Sequence, residues 1–339
     1  MSLTCGIIGL PNVGKSTIFN ALTSSSVPAE NYPFCTIEPH IGIVPLPDER
    51  LDALRDIYNP EKVTPATVEF TDIAGLVKGA SLGEGLGNQF LAQIRQVDAI
   101  VHVVRCFEDE NVTHVENSVD PLRDVELIET ELLLADLNTI EKGLLRLEKL
   151  SKSDKSAGIK LEFVKKLKVF CDDGMPARSY KCTSEEQKMI NELYLLTAKP
   201  IMYVANINED ELMSEKNSKH SDILLSTING NSGQAIKLCG KVEQEISVLD
   251  KAEQSEFLNE YSLSEPGLNH LIKRAFSLLN LETYFTGGEK EVRAWTIKKG
   301  SSAPKAASEI HTDFEKGFIK AEIIKYDDLA KMGSEKLVK

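Results

Sequence analysis

Nothing in the 339-residue sequence reads as an export route or a membrane anchor. The N-terminus has no basic segment leading into a long apolar run, and no apolar stretch approaches the ~18 residues of a spanning helix, so neither a signal nor a membrane span is expected. Six cysteines (Cys5, Cys35, Cys106, Cys171, Cys182, Cys239) stand far apart with no C-x-x-C pair. That spacing points away from zinc and from a disulfide framework, and toward reduced thiols in a cytosolic protein. A basic excess is also missing: 39 Lys and Arg against 52 Asp and Glu leave a net charge of −13, so net charge does not draw the whole molecule to nucleic acid. Only a local basic patch can do that. Repeats and low-complexity tracts are not evident, and what remains is an ordinary globular composition, 42% hydrophobic, with length for two or three domains.

The strongest pattern lies close behind the N-terminus. Gly9-Leu-Pro-Asn-Val-Gly14-Lys15-Ser16, with Thr17 beside it, fits G-x-x-x-x-G-K-[ST], follows a short apolar run (Ile7, Ile8) and leads into a helical pattern, Ile18 to Leu22. Gly9 and Gly14 let the backbone turn tightly enough to aim several N–H groups at phosphate oxygens, and the positive end of the following helix adds to that field. Asn12, Val13, Gly14, Lys15, Ser16 and Thr17 are the candidate phosphate contacts. Lys15 reaches toward the β- and γ-phosphates as the catalytic cation, and the Ser16 hydroxyl is a candidate Mg²⁺ ligand.

Further along, Thr36 precedes an apolar strand pattern (Ile41, Ile43, Val44), where a nucleotide switch closes a threonine over Mg²⁺. Thr36 is therefore a metal candidate, although a threonine at a strand start also serves as a cap. The β-branched run Ala66 to Phe70 ends in Asp72-Ile-Ala-Gly75, a D-x-x-G that gives Asp72 to Mg²⁺ and the Gly75 N–H to the γ-phosphate. Leu76 follows, where Ras-like GTPases carry the glutamine that orients the attacking water. Leucine has no donor or acceptor for that task. His114, just after the strand pattern Ile100–Val104, is the candidate replacement, with a solvated loop histidine as the equal alternative.

Four glycines, the last three (Gly83, Gly85, Gly87) at alternate positions, then mark the stretch Lys78 to Leu91. Taken together, GLPNVGKST, DIAGLVKGAS and GEGLGNQFL resemble the Obg-related P-loop NTPases of the TRAFAC class, and in particular the YchF/Obg-like ATPase family, over nearly the whole chain. The resemblance implies an α/β P-loop NTPase domain (1–120 and 200–280), an inserted helical coiled-coil hairpin (121–199) and a C-terminal β-grasp (TGS) domain (281–339).

Each of these has its own signature. From Leu122 to Leu150 apolar residues recur every three or four positions without proline, which predicts an amphipathic helix of roughly 40 Å. A polar break (Ser151–Gly158) and further helical patterns at Ile159–Phe170 and Ser184–Leu196 complete a hairpin. Between Lys142 and Lys168 nine Lys or Arg face three acids. A solvated helix face is one reading, and the family's association with translation suggests the other: contacts with rRNA phosphates of the large ribosomal subunit.

The apolar run Pro200–Ala205 reads as a strand that ends in Asn206-Ile-Asn-Glu209, at the place where GTPases have N-K-x-D. There an aspartate accepts from guanine N1–H and its exocyclic amine, groups that adenine does not offer. Here glutamate and isoleucine replace aspartate and lysine, and N-x-x-E is the pattern by which the YchF family is known to prefer ATP. By that resemblance Asn206 frames the base, the Ile207 backbone accepts from the adenine amine, and Glu209 completes the set. The Asn12 carbonyl oxygen is, by analogy with related potassium-dependent NTPases, a candidate K⁺ ligand.

Toward the end of the chain a helix is expected at Leu268–Leu279, and the segments Thr283–Gly288, Val292–Ile297 and His311–Ile319 resemble the TGS module, with His311 in a structural or docking role. Family members continue past the equivalent of Lys339 with a glycine-rich turn and a final strand, so a sheet edge without its last strand is expected. Two rivals to an ATP-preferring switch are an Obg-type GTPase and a nucleotide-gated RNA or ribosome adaptor in which hydrolysis is incidental.

Overall fold

The computed structural model describes residues 3–24, 40–75, 86–116, 118–214, 219–230 and 234–338. Strands and helices alternate through β1 (Thr4–Ile8), α1 (Lys15–Ser24), β2 (Ile41–Pro45), α2 (Glu49–Tyr58), β3 (Lys62–Thr64), β4 (Thr67–Asp72), α3 (Leu86–Gln96) and β5 (Ala99–Arg105). Three helices, α4 (Pro121–Leu150), α5 (Lys155–Asp172) and α6 (Ser184–Glu192), interrupt that alternation. It resumes with β6 (Ile201–Asn206), α7 (Glu209–Met213), α8 (Lys219–Gly230), β7 (Gln234–Leu238), α9 (Gly240–Ile246), α10 (Lys251–Glu260) and α11 (Gly267–Leu278). A hairpin, β8 (Leu281–Thr286) and β9 (Glu291–Lys298), precedes the short helices α12 (Ala303–Ile310), α13 (Asp313–Lys316), α14 (Tyr326–Met332) and α15 (Glu335–Val338).

The large sheet has the order β2-β4-β1-β5-β6-β7 and is parallel except for the edge strand β2, which runs antiparallel to β4. Its centre explains the longest apolar runs. β5 (AIVHVVR) and β6 (IMYVAN) are buried at every position, as a parallel strand covered on both faces requires. The fold is thus the expected α/β P-loop architecture, with helices inserted between β5 and β6.

Those inserted helices begin at local signals. Asp120 accepts from the Arg123 N–H and Pro121 opens the 30-residue helix α4. Asp154 caps α5 in the same way, and Thr183 with Glu186 forms a capping box at α6. A separate apolar cluster (Ile140, Leu147, Leu161, Phe163, Val164, Leu167, Ile190) packs the three helices together. α6 stops at Glu192, short of the Leu196 that periodicity predicts. Tyr194 adopts a left-handed φ of 52°, and the Leu196 and Thr197 N–H groups turn back to the buried Asp136 carboxylate at 2.7 Å each.

A second sheet has the order β3-β9-β8. Its edge strand comes from the first half of the chain: β3 pairs parallel with β9, Lys62 opposite Glu291 and Thr64 opposite Arg293. α2 lies against the same hairpin, with Arg50 donating to Thr283 Oγ1 at 2.7 Å and Tyr58 donating to Glu335 at 2.6 Å. Val292, Ala294 and Leu329 join the apolar core of the large sheet. Among the described residues no helix is long and apolar enough to cross a membrane. Cys5, Cys106, Cys171 and Cys239 are buried free thiols, and burial pushes Cys5 up to about 12 and Cys171 up to about 11.

Candidate nucleotide-binding site

The phosphate loop is shaped by close backbone approach. A Cβ on Gly9 would sit 2.6 Å from the Val103 carbonyl oxygen, and one on Gly14 would sit 2.1 Å from Asn206 Nδ2, so both positions need glycine. Gly14 also has φ +89°, and Asn12 lies in the left-handed region at 62°. Val13 is buried, and Thr17 stands in the first turn of α1, which begins at Lys15.

Register brings the second motif to this loop. Ile7 of β1 pairs with Asp72 at the end of β4, directly beside the start of the loop. Lys15 Nζ donates to Asp72 Oδ1 at 2.7 Å, and Ser16 Oγ lies 3.4 Å from Asp72 Oδ2. Gly75 lies against the loop as well; a Cβ there would be 3.5 Å from the Gly9 carbonyl oxygen and 3.6 Å from Pro11 N. A hydroxyl and a carboxylate side by side are hard oxygen donors. They fit Mg²⁺, which takes one or two protein oxygens and leaves the remaining positions to water and phosphate. Thr36, Leu76 and the glycine-rich run 78–85 lie outside the described residues.

His114 is not a solvated loop residue. It is buried, its Nε2 is 2.9 Å from Asp124 Oδ2, and its Nδ1 accepts from the Glu116 N–H at 3.1 Å, which places the ring proton on Nε2. Both nitrogens are engaged. The adjacent Thr113 carbonyl accepts from Asn12 Nδ2 at 3.1 Å, so the same loop touches the phosphate loop. Arg105 sets the loop's path by donating to the carbonyls of Phe107, Asp109 and Val112 from a buried position, and burial lowers its guanidinium below the ordinary value.

At the base end, Asn206 is a strut. Its Nδ2 donates to the Val13 carbonyl at 2.8 Å and its Oδ1 accepts from the Gly240 N–H at 2.9 Å, tying the phosphate loop to the turn after β7. The Ile207 N–H donates to the Leu238 carbonyl at 3.0 Å. Glu209 opens α7 with a donor on each oxygen: Tyr261 donates its hydroxyl to Oε1 at 2.6 Å, and Lys241 lies 3.3 Å from Oε2. Those two donors, Tyr261 first, hold the Glu209 carboxyl below its usual range, while the bond to Glu209 pushes the Tyr261 hydroxyl up. Sequence reading reaches Asn206 and Glu209 but not Tyr261 or Lys241. Tyr261 sits 52 residues from its partner at the end of α10, and no spacing rule links them.

Strand, phosphate loop, helix and the D-x-x-G turn on a mostly parallel sheet define a P-loop nucleotide-binding protein. A family model described as 50S ribosome-binding GTPase matches residues 4–136, and the YchF GTPase C-terminal model, described as a protein of unknown function, matches 281–339. The ribosome-binding ATPase YchF of Bacillus subtilis (strain 168) is 53% identical over 97% of this chain and 90% of its own. The Haemophilus influenzae protein of the same name is 51% identical over 99% and 92%. In three dimensions the YchF GTPase of Schizosaccharomyces pombe superposes with a TM-score of 0.89 at 40% identity, covering 99% of this chain and 91% of that one. The chain belongs to the YchF family.

Proposed function

We propose that this protein is a cytoplasmic, Mg²⁺-dependent NTPase that hydrolyses ATP in preference to GTP and acts as a nucleotide-dependent switch on the large ribosomal subunit. The observation that carries the phosphoryl-transfer reading is the convergence of Lys15 and Ser16 on the Asp72 carboxylate at the mouth of the phosphate loop. Transfer of a γ-phosphoryl to water demands positioning and charge neutralisation more than covalent chemistry. The backbone N–H groups from Asn12 to Thr17 cradle the phosphates, the Gly75 N–H faces the γ-phosphate, and Lys15 swings from Asp72 to the β- and γ-oxygens. Ser16, Asp72 and Thr36 would hold Mg²⁺, which supplies positive charge across those same oxygens. With leucine at position 76, turnover of the free protein is slow.

The ATP preference rests on Glu209 in place of aspartate and on the family, whose relatives are named ribosome-binding ATPases. Asn206 frames the base pocket and the Ile207 backbone accepts from the adenine amine. The basic stretch of α4 and α5, together with the C-terminal segment 281–339, is the surface for rRNA phosphates in this reading. The Asn12 oxygen is its candidate K⁺ ligand, checked by comparing turnover in K⁺ and Na⁺.

Calorimetric titration with slowly hydrolysed analogues of ATP and GTP in Mg²⁺ tests the base, and phosphate release by Lys15→Ala tests the site. Tighter ATP binding, with hydrolysis lost by about a hundredfold or more in a folded Lys15→Ala protein, is the expected result. Tighter GTP binding would move the protein to the Obg-type GTPases, and normal turnover in the variant would remove Lys15 from the site.

A further inference from the structure

We propose that Tyr261 and Lys241 set the base preference of this site by clamping the Glu209 carboxylate, so that guanine is refused the acceptors it needs. The inference rests on the ATP-preferring reading of the same site and adds the residues that enforce it. Replacing aspartate by glutamate does not by itself exclude guanine, because a glutamate carboxylate offers the same two oxygens on a longer stem. What changes its availability is its surroundings. Oε1 takes the Tyr261 hydroxyl at 2.6 Å and Oε2 faces the Lys241 ammonium at 3.3 Å, so each oxygen already has a donor and the two together fix the direction in which the carboxylate points. Adenine brings an acceptor at N1 and no amine at C2, and loses nothing when the carboxylate is held away.

The two clamps differ in kind. Tyr261 is 8% exposed, ends α10 and stacks on Phe257 with ring centroids 4.9 Å apart, so its hydroxyl is fixed by packing. Lys241 is on the surface, its side chain 70% exposed, and its contribution is screened by solvent. Tyr261 is therefore the decisive partner. A hydrogen bond to a charged acceptor from a donor already held in place is stronger than one between neutral groups and costs little ordering. For guanine to bind as it does in N-K-x-D sites, Glu209 must turn from the orientation that this bond holds, which shifts the balance toward adenine without any new contact to it. Guanine bound without that turn would leave its own donors unpaired, the feature that rejects a mismatched ligand.

The test measures dissociation constants for slowly hydrolysed ATP and GTP analogues with Mg²⁺ in the wild-type chain, Tyr261→Phe, Lys241→Met and the double variant Tyr261→Phe/Glu209→Ala. Phenylalanine keeps the ring stack and removes only the donor. The expected result is a wild-type preference for ATP that falls by about tenfold in Tyr261→Phe and by less in Lys241→Met, with GTP binding gaining relative to ATP, the scale of a single freed hydrogen-bonding group. The shift disappears in the double variant, because Glu209 is the group being released. A wild-type ATP preference that stays fixed in a Tyr261→Phe protein of unchanged melting temperature overturns the clamp and leaves the ATP reading standing. A wild-type preference for GTP overturns both. Equal weakening of the two nucleotides in Tyr261→Phe assigns the tyrosine to packing alone and likewise overturns the clamp. Should Tyr261→Phe fail to fold, the surface variant Lys241→Met decides, and an unmoved ratio there counts against the proposal.

Discussion

His114 shows how a residue's surroundings limit the chemistry it can do. Its ring bridges Asp124 and the Glu116 N–H, and the Arg123 guanidinium lies 2.9 Å from the same aspartate, so neither ring nitrogen is free for an attacking water. Truncation to alanine leaves a buried carboxylate short of one partner. The expected outcome for His114→Ala is a loss of about 1–3 kcal/mol in denaturant melts. A large fall in kcat with stability intact would instead put the ring on the water. His102, at the centre of β5, is the opposite case: it is fully buried, and among the described residues neither ring nitrogen has a hydrogen-bond partner. Burial lowers it from its ordinary 6.5 to about 4, with the Glu129 carboxylate opposing and the Arg178 guanidinium assisting. The sign follows from proton counting. Between those two values the unfolded chain binds a proton that the folded one does not, so stability is complete above 6.5 and declines as pH falls toward 4. About 3 kcal/mol is at stake, and His102→Leu should remove that part of the acid slope in urea melts run from pH 7 to pH 4.

At the scale of elements, the inserted helices carry a charge pattern at odds with the acidic whole. Lys142, Arg146, Lys149, Lys152 and Lys155 are exposed, and none of them is ion-paired among the described residues, whereas Lys160, Lys165 and Lys168 pair with Glu192, Glu162 and Asp172. The unpaired group clusters around the reversal between α4 and α5, the part farthest along the hairpin. Replacing Lys149, Lys152 and Lys155 by glutamine should weaken ribosome association and reduce its salt slope by about one for each phosphate contact removed. Co-sedimentation across a salt series checks this, and an unchanged slope would return these side chains to solvent. The helices themselves were legible because their signals are local: the apolar period over α4 and the polar residues at the turn. The same holds for the phosphate loop and for β5 and β6, whose unbroken apolar runs announce burial on both faces. The ends were less legible. α6 stops early because Asp136, far away in the chain, draws Leu196 and Thr197 back to it, and periodicity contains no such information.

At the scale of the whole molecule, the C-terminal segment is bound to the rest by an exchange that no stretch of sequence announces. β3 is three residues long, between Pro60 and Pro65, and its partner β9 lies near the other end of the chain. So short a segment shows no period, and its apolar content is a single valine. Yet it joins the hairpin β8–β9 to the chain between α2 and β4, and Val292, Ala294 and Leu329 complete one core with the nucleotide-binding sheet. The second half of α4 (Ile140, Leu147) packs instead with α5 and α6 on their own cluster, while its first half (Val125, Ile128, Leu132, Ala135) stays in the sheet core. Two cooperative units are therefore expected, with the C-terminal segment melting together with the sheet and not separately from it. Leu329→Ala, at a side chain 5% exposed, should destabilise the protein by about 2–5 kcal/mol. Scanning calorimetry with and without ATP identifies the unit affected, because only the transition containing the phosphate loop is raised by nucleotide. If Leu329→Ala lowers that transition, the C-terminal segment and the nucleotide site share one folding unit, and events at the C-terminal segment can reach the phosphate loop through β3 and α2. If it creates a separate low-temperature transition while the nucleotide-responsive one stays in place, the shared core does not couple them and the strand exchange is only a tether.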